Sequence, residues 1–421
     1  MPMKAIQFLI ILICFMCNML DGMDVLIISY TAPAIAKAWS ISPANLGIVF
    51  SSGLVGMTVG AIFLAPLADR FGRKPLMILA AAIMGSCIYL TSFATDVNLL
   101  MVYRFISGLG IGTMMACTAA ITAEYAPSTT RDFWVSTVVA GYPTGAVLTG
   151  ISSAKIMEER GWEHLFELAG LLTFLAIPIL FFLLKESDDF KAKAKPKDAK
   201  LSALFTPEYK WSTWQLWSAL FLSFTTLYFL MNWIPKLASN AGLSMELAIY
   251  SGTIFNLGAI VGIPVQGYFS TRFGLKKSIG TLLLITAVLL GIFGQFSGSN
   301  LILVVLFFLG FGVQGSFVGL YAVAARMYPT AIRSTGIGWA IGMGRLGGIL
   351  GPILGGILVG VGLGMAESFT ISSRCQICIR CRHNHHRAID WTWLANLSTA
   401  ARRAGDSCIL GAARFRPHST S

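Results

Sequence analysis

The sequence predicts an all-α polytopic membrane protein. Three observations carry this reading. Mean hydropathy is +0.72. Of 421 residues, 55% are hydrophobic and only 12% charged. Apolar runs of membrane-spanning length also recur along most of the chain. A soluble domain carries about 25% charged residues, so this chain has too little polar surface to coat a soluble fold of its size. An ordinary cytosolic enzyme and a disordered chain are both excluded. Glycine, at 43 residues, exceeds the usual ~7%, and transmembrane helices tolerate it.

Eleven apolar runs are long enough to span a bilayer: 5–30, 45–67, 75–93, 98–121, 133–154, 165–184, 213–235, 247–269, 278–297, 301–323 and 336–363. The first is too long, and followed by too many others, to be a cleavable signal. The net charge of +12 does not read as a nucleic-acid footprint. No basic stripe with interleaved aromatics is present, and most charges fall between the runs.

There they set topology. One side of the membrane receives Lys4, Arg70, Arg73, Lys74, Arg131, the lysines of 185–210, Arg272, Lys276, Lys277, Arg326 and Arg333. The other receives only Lys37, Lys155, Arg160 and Lys236. The N-terminus is therefore expected in the cytoplasm. The Lys-rich segment 185–212, interrupted by Pro196, reads as a cytoplasmic linker between an N-terminal bundle (1–184) and a C-terminal bundle (213–365).

The two bundles repeat each other. A shift of 202 carries Arg70-Phe71-Gly72-x-Lys74 onto Arg272-Phe273-Gly274-x-Lys276, and Gly108 and Gly110 onto Gly310 and Gly312. The same shift carries Pro33 onto Pro235, Pro127 onto Pro329, Arg131 onto Arg333 and Gly145 onto Gly347. Two parallel repeats around a central cavity is a transporter architecture.

The segment Leu67-Ala68-Asp69-Arg70-Phe71-Gly72-Arg73-Lys74 resembles the signature loop of the major facilitator superfamily, with Ala65 where that loop usually leads with Gly. Asp21-Gly22-Met23-Asp24 resembles a mark of the aromatic acid:proton symporter family. So do Gly141-Tyr142-Pro143-Thr144-Gly145, Asn232-Trp233-Ile234-Pro235, and Arg333-Ser334-Thr335-Gly336-Ile337-Gly338-Trp339 leading into Gly344-Arg345-Leu346-Gly347. The resemblance covers residues 5 to about 365. It implies the major facilitator fold of two six-helix halves, driven by the proton gradient without a cofactor, in a bacterial inner membrane.

That fold has twelve spans, and residues 366–421 supply no twelfth. They hold Cys375, Cys378, Cys381 and Cys408, four of the five His, and eight Arg with no Lys. So abrupt a break in composition reads as translation out of frame from about Gly364–Glu367. A metal site on Cys375-x2-Cys378-x2-Cys381 is the competing reading, because the spacing is ligand-like. No metal is expected. Cys14, Cys17, Cys87 and Cys117 lie within spans as small apolar residues.

Ionisable residues inside spans cost roughly 2.5–3.5 kcal/mol each on insertion scales, which makes them functional candidates. Asp21 and Asp24, spaced i and i+3, share one helix face. They lie roughly 22–27 Å across the bilayer from Ile6 at 1.5 Å per residue. Two carboxylates that close in a low dielectric do not both ionise easily, so one is expected to hold a proton. Arg104 falls at similar depth and can pair with them, and the resemblance adds that an Arg there accompanies proton coupling. A purely structural ion pair is the alternative.

Arg345, near the middle of its span, suits a carboxylate by bidentate hydrogen bonding. Tyr142, Tyr228 and Trp233 could stack on an aromatic substrate or simply pack. Asp69, Arg70, Arg73 and Lys74 are expected to gate the cytoplasmic side, with Glu124 and Arg131 joining them.

The expectation is a proton-coupled importer of organic carboxylates, monomeric, with no nucleic-acid partner. Candidate substrates are benzoate, hydroxybenzoates and the ring-cleavage product cis,cis-muconate, the short N-terminus leaning towards muconate. Two other classes stay open: a proton-coupled efflux antiporter with the same loop, and a non-functional truncated transporter.

Overall fold

The computed structural model describes residues 5–127, 131–184, 204–240, 242–292, 301–328 and 332–361, without the side chains of Asp69, Arg131, Asp132, Ile292, Ala325 and residues 333–335. The span of 366–421, and with it the fate of the twelfth helix and the cysteine cluster, lies outside the described residues. So do 185–203 of the linker.

The described chain is helical, with no strand among the described residues. The helices are α1 (Ala5–Ala38), α2 (Pro43–Val59), α3 (Ala68–Phe71), α4 (Arg73–Thr91), α5 (Val97–Tyr125), α6 (Arg131–Val139) and α7 (Gly141–Leu183). After the linker follow α8 (Lys210–Asn240), α9 (Met245–Phe273), α10 (Leu275–Ile292), α11 (Leu301–Met327) and α12 (Arg333–Gly360). Among the described residues, nine helical stretches are long and apolar enough to cross a membrane.

The sequence runs numbered eleven, and two structural facts account for the difference. Runs 133–154 and 165–184 fall in one stretch, Phe133–Leu183. At 1.5 Å per residue it would reach roughly 76 Å, against a hydrocarbon core of about 30 Å. Gly161, at φ 84°, breaks it into two limbs, each long enough for one crossing. Run 278–297 corresponds to α10, which meets undescribed residues at 293. The first helix also extends past the expected Tyr30, through Pro33, to Ala38.

Local chemistry places the helix ends. Ser42 caps α2, its Oγ accepting from Asn45 N at 3.3 Å, with Pro43 as the first helical residue. Ser244, its equivalent in the second repeat, caps α9 by accepting from Leu247 N at 3.3 Å. Asp96 caps α5 through Asn98 N and Leu99 N at 2.8 and 3.0 Å. Gly72 and Gly274 take φ of 98° and 85°, a turn open to glycine and closed to most residues. The signature loop and its second copy therefore bend alike.

The repeat is also a repeat of contacts. Gly56 abuts the Phe105 carbonyl, and Gly258 the Phe307 carbonyl. Gly60 abuts Leu109, and Gly262 abuts Phe311. Gly145 abuts Met19, and Gly347 abuts Phe221. In each case a shift of 202 carries both members of one pair onto the other, and a Cβ would collide with backbone. Small residues let membrane helices approach this closely, so the shared glycines encode the shared packing. Large apolar side chains such as Phe63, Phe182 and Val288 are exposed, as lipid-facing residues should be.

Candidate substrate and proton site

The two repeats meet at the end of the bundle that carries the α1–α2 loop. Gly47 packs on the Pro352 backbone, Gly356 on Pro43 and Ala44, and Gly150 on Thr253. Hydrogen bonds tie the same layer. Ser29 Oγ donates to the Met231 and Asn232 carbonyls at 2.8 and 3.0 Å. Ser51 Oγ donates to the Ile349 carbonyl at 2.7 Å. Trp233 is fully buried here: its indole N–H donates to the Pro352 carbonyl at 2.9 Å, and its ring stands edge-on to Phe50 at 5.5 Å. Its place is in this seal.

One helical turn inside the seal, four helices present polar side chains at a common depth. Tyr142 lies one turn from Ala146, whose carbonyl accepts from Tyr30 Oη within the seal at 3.0 Å. Tyr228 lies one turn from Asn232, and Arg345 one turn from Ile349. Asn256 lies one turn from Thr253 on α9, which runs the opposite way. Tyr142 and Tyr228 are within electrostatic reach of each other, and Arg345 of Tyr228 and Tyr321. Tyr142's buried hydroxyl makes no hydrogen bond of good geometry among the described residues. A chain of polar groups thus crosses from the first repeat to the guanidinium of the second.

The charged pair on α1 sits behind Tyr142. Asp21, Asp24 and Arg104 are buried at 0%, 0% and 3% exposure. Arg104 of α5 pairs with the Asp24 carboxylate, and its second guanidinium nitrogen donates to the Asp24 carbonyl at 2.7 Å. Ser107, one turn along α5, donates to the other Asp24 oxygen. Asp24 is therefore neutralised and hydrogen-bonded, whereas neither carboxylate oxygen of Asp21 has a hydrogen-bond partner among the described residues. Asp21 is within electrostatic reach of Asp24 and Tyr142. The motif glycines set the helix crossing next to the pair. Gly22 lies against the Tyr142 backbone, Gly145 against Met19 and Gly141 against Phe15, so α1 and α7 touch closely at the residue adjoining Asp21.

At the opposite end, the described contacts of the signature loop run within the first repeat. Arg73, 8% exposed, pairs with Glu124 of α5. Lys74 Nζ donates to the Phe181 carbonyl at 2.7 Å and lies over that ring. Arg70 is exposed above Phe71. The side chains of Asp69 and Arg131 are outside the described residues.

A cavity of about 480 Å³ lies elsewhere, between α1 and the two limbs of α7. Ile13, Met16, Met23, Leu168 and Leu172 are among its walls. No charged side chain is among its mostly apolar lining residues, so it offers no guanidinium or ammonium to a carboxylate.

Sequence reasoning missed Ser107 and Tyr321. Ser107 is legible afterwards as the i+3 neighbour of Arg104. Tyr321 gave no signal apart from being a tyrosine in a span.

Comparisons with known proteins bear on the fold and the family. The sequence profile of the Major Facilitator Superfamily matches residues 14–266 and 250–373. The 4-hydroxybenzoate transporter PcaK of Pseudomonas putida is 31% identical over 381 residues, covering 83% of this chain and 85% of its own length. A gallate transporter of the same species is 30% identical, covering 88% and 89%. The benzoate transport protein of Acinetobacter baylyi is 28% identical, covering 78% of each. Among solved structures, a D-xylose-proton symporter superposes with a TM-score of 0.75 at 16% identity, over 90% of this chain and 98% of that one. An inward-facing bacterial homologue of the lysosomal transporter Spinster superposes at 0.70 and 17%, over 96% and 98%; both show the fold alone. The duplicated bundle and its motifs thus have relatives of matching length, and the chain belongs to the Major Facilitator Superfamily of membrane transporters, in the family of aromatic acid:proton symporters that its motifs resemble.

Proposed function

We propose that this transporter imports aromatic carboxylates together with protons. The observation that carries the reading is the polar layer one turn inside the seal. On one side it meets a guanidinium, Arg345. On the other it meets a buried carboxylate, Asp21, that lacks a hydrogen-bond partner among the described residues.

A buried carboxylate with no partner is far cheaper neutral than charged. Asp21 therefore takes up a proton before the site can leave an acidic compartment. Asp24, paired with Arg104 and hydrogen-bonded by Ser107, fixes α1 against α5. The anion's carboxylate sits on Arg345 by the fork geometry of guanidinium and carboxylate, with Tyr142 and Tyr228 against the ring. Trp233 seals the outer end rather than stacking on substrate. Proton and anion together favour one state over another, which is the requirement for coupling.

The Lys and Arg bias puts the N-terminus in the cytoplasm, so the sealed end is the outer one and the bundle is inward-facing. On this reading Arg73–Glu124 and the Lys74–Phe181 contact hold the signature loop in its inward-open arrangement, and Asp69, Arg70 and Arg131 engage the second repeat when that end closes. The protein lies in a bacterial inner membrane. The relatives named for 4-hydroxybenzoate, gallate and benzoate favour a ring acid over cis,cis-muconate.

The test uses proteoliposomes with an imposed pH gradient, alkaline inside, and labelled 4-hydroxybenzoate, benzoate and cis,cis-muconate. Accumulation of a ring acid that collapses with a protonophore is expected. Uptake indifferent to the gradient, or gradient-driven export, would contradict the reading.

A further inference from the structure

We infer that Asn256 and Gln314 form a second polar pole of the substrate site, which selects aromatic acids bearing a ring hydroxyl remote from the carboxylate. The inference rests on the function proposed above and adds a determinant of which acid is preferred.

Depth places Asn256 at the site. Ser51 and Thr253 are equivalent across the repeat, and both lie in the seal, against Ile349 and Gly150 respectively. Arg345 is one turn inside Ile349, and Asn256 one turn inside Thr253. The amide and the guanidinium therefore sit at one level, on α9 and α12. The face of α9 that carries Thr253 and Asn256 looks towards the first repeat, because both residues lie beside the Tyr30 hydroxyl of α1. Tyr30 is in turn within reach of Tyr142. Tyr30, in the seal, thus links Asn256 to the polar layer of Tyr142, Tyr228 and Arg345.

The amides are buried and only loosely joined. Asn256 is 0% exposed and Gln314 6%. Gln314 Nε2 reaches Asn256 Oδ1 at 3.4 Å, the long edge of hydrogen-bonding range. The Asn256 amide nitrogen donates to its own helix at the Gly252 carbonyl, at 2.9 Å. The repeat supplies the contrast: the equivalent positions in the first half are Leu54 and Gly112. An amide pair at this depth has no scaffold role that the first half shares. A hydroxyl both donates and accepts. Inserted between the two side chains, it can donate to an amide oxygen and accept from an amide N–H. With the carboxylate on Arg345, a ring laid along the polar layer would turn its far edge towards this pair. Sites that hydrogen-bond a substrate hydroxyl discriminate strongly against the analogue that lacks it.

The experiment measures binding of 4-hydroxybenzoate and of benzoate to the full-length protein in detergent, by calorimetry, for the native chain and for Asn256→Leu and Gln314→Met. The native protein is expected to prefer the hydroxylated acid. Each substitution should weaken 4-hydroxybenzoate by about tenfold and leave benzoate within about twofold. Gln314→Met keeps the side-chain length, so it serves if Asn256→Leu does not fold. An unchanged ratio, or equal weakening of both acids, overturns the inference while leaving the transport reading intact. A native protein that binds neither acid sinks that reading, and this inference with it.

Discussion

The two repeats share a scaffold and divide the chemistry. Shifting by 202 puts Ser223 where Asp21 stands, Thr226 for Asp24, Leu306 for Arg104 and Leu309 for Ser107. The first repeat thus carries a buried ion pair and a carboxylate without a hydrogen-bond partner among the described residues, where the second carries two hydroxyls and two leucines. Those hydroxyls, on Ser223 and Thr226, are buried without hydrogen-bond partners among the described residues. Conversely, Arg345 of the second repeat stands where the first has Pro143. The glycines at equivalent helix crossings and the Ser42 and Ser244 caps, which set packing, are kept in both halves; the charges inside the spans are not. On the proposed reading, proton coupling and anion binding sit on opposite bundles, so a movement of one bundle against the other can link them.

The largest expected effect tests that division. Asp21→Asn keeps size and hydrogen bonding but removes the proton site, and should nearly abolish gradient-driven uptake with normal membrane insertion. Ser223→Ala at the equivalent position removes a hydroxyl that makes no hydrogen bond among the described residues, and should change uptake by about twofold or less. Comparable losses in initial rates of labelled-acid uptake would break the comparison.

The second effect is on stability. Arg104→Leu installs the residue of the other repeat and strands the buried Asp24 charge. Removing one member of a buried pair costs roughly 3–5 kcal/mol, so thermal unfolding in detergent should begin at a clearly lower temperature. Adding Asp24→Thr, again the second repeat's residue, should recover most of that loss without restoring coupling. A double variant no more stable than Arg104→Leu alone would count against an isolated pair.

Arg345→Lys comes next. The charge survives and the fork does not, so the apparent KM should rise about tenfold, equivalent to about 1.4 kcal/mol. An uncharged amide analogue should compete poorly with the native protein. Equal competition by acid and amide would remove the carboxylate clamp.

Glycine substitutions separate scaffold from chemistry. Gly145→Ala and Gly347→Ala, at equivalent helix crossings, should lower stability to a similar degree. Gly267→Ala, which has open space around it, should not. The smallest effect is expected at the end of the chain: truncation near residue 366 should change neither abundance nor uptake, as judged by membrane immunoblot and transport rate.

Much of this was legible in the sequence because lipid makes certain choices expensive. Charge inside a span has to be justified, which singled out Asp21, Asp24, Arg104 and Arg345. Close helix crossings require glycine at fixed places, which made the 202-residue offset visible before any contact was known. What could not be read depends on rotation and reach. Which aspartate takes Arg104 depends on how α5 faces α1, and Ser107 settles it for Asp24. Trp233 looked available for stacking, and only the fold shows it fully buried, edge-on to Phe50, with its indole N–H on the Pro352 carbonyl. The seal itself, built from Ser29, Ser51 and backbone carbonyls, uses residues too ordinary to stand out.

The central claim, coupling in one repeat and anion binding in the other, is tested most directly by assaying Asp21→Asn and Arg345→Lys side by side. Each would be measured for equilibrium binding of 4-hydroxybenzoate in detergent and for gradient-driven accumulation at saturating acid in proteoliposomes. The account predicts opposite failures: Asp21→Asn binds with near-native affinity and does not accumulate, whereas Arg345→Lys binds weakly and still accumulates once saturated. Two variants that fail both assays alike, or an Asp21→Asn protein that accumulates undiminished, would contradict it.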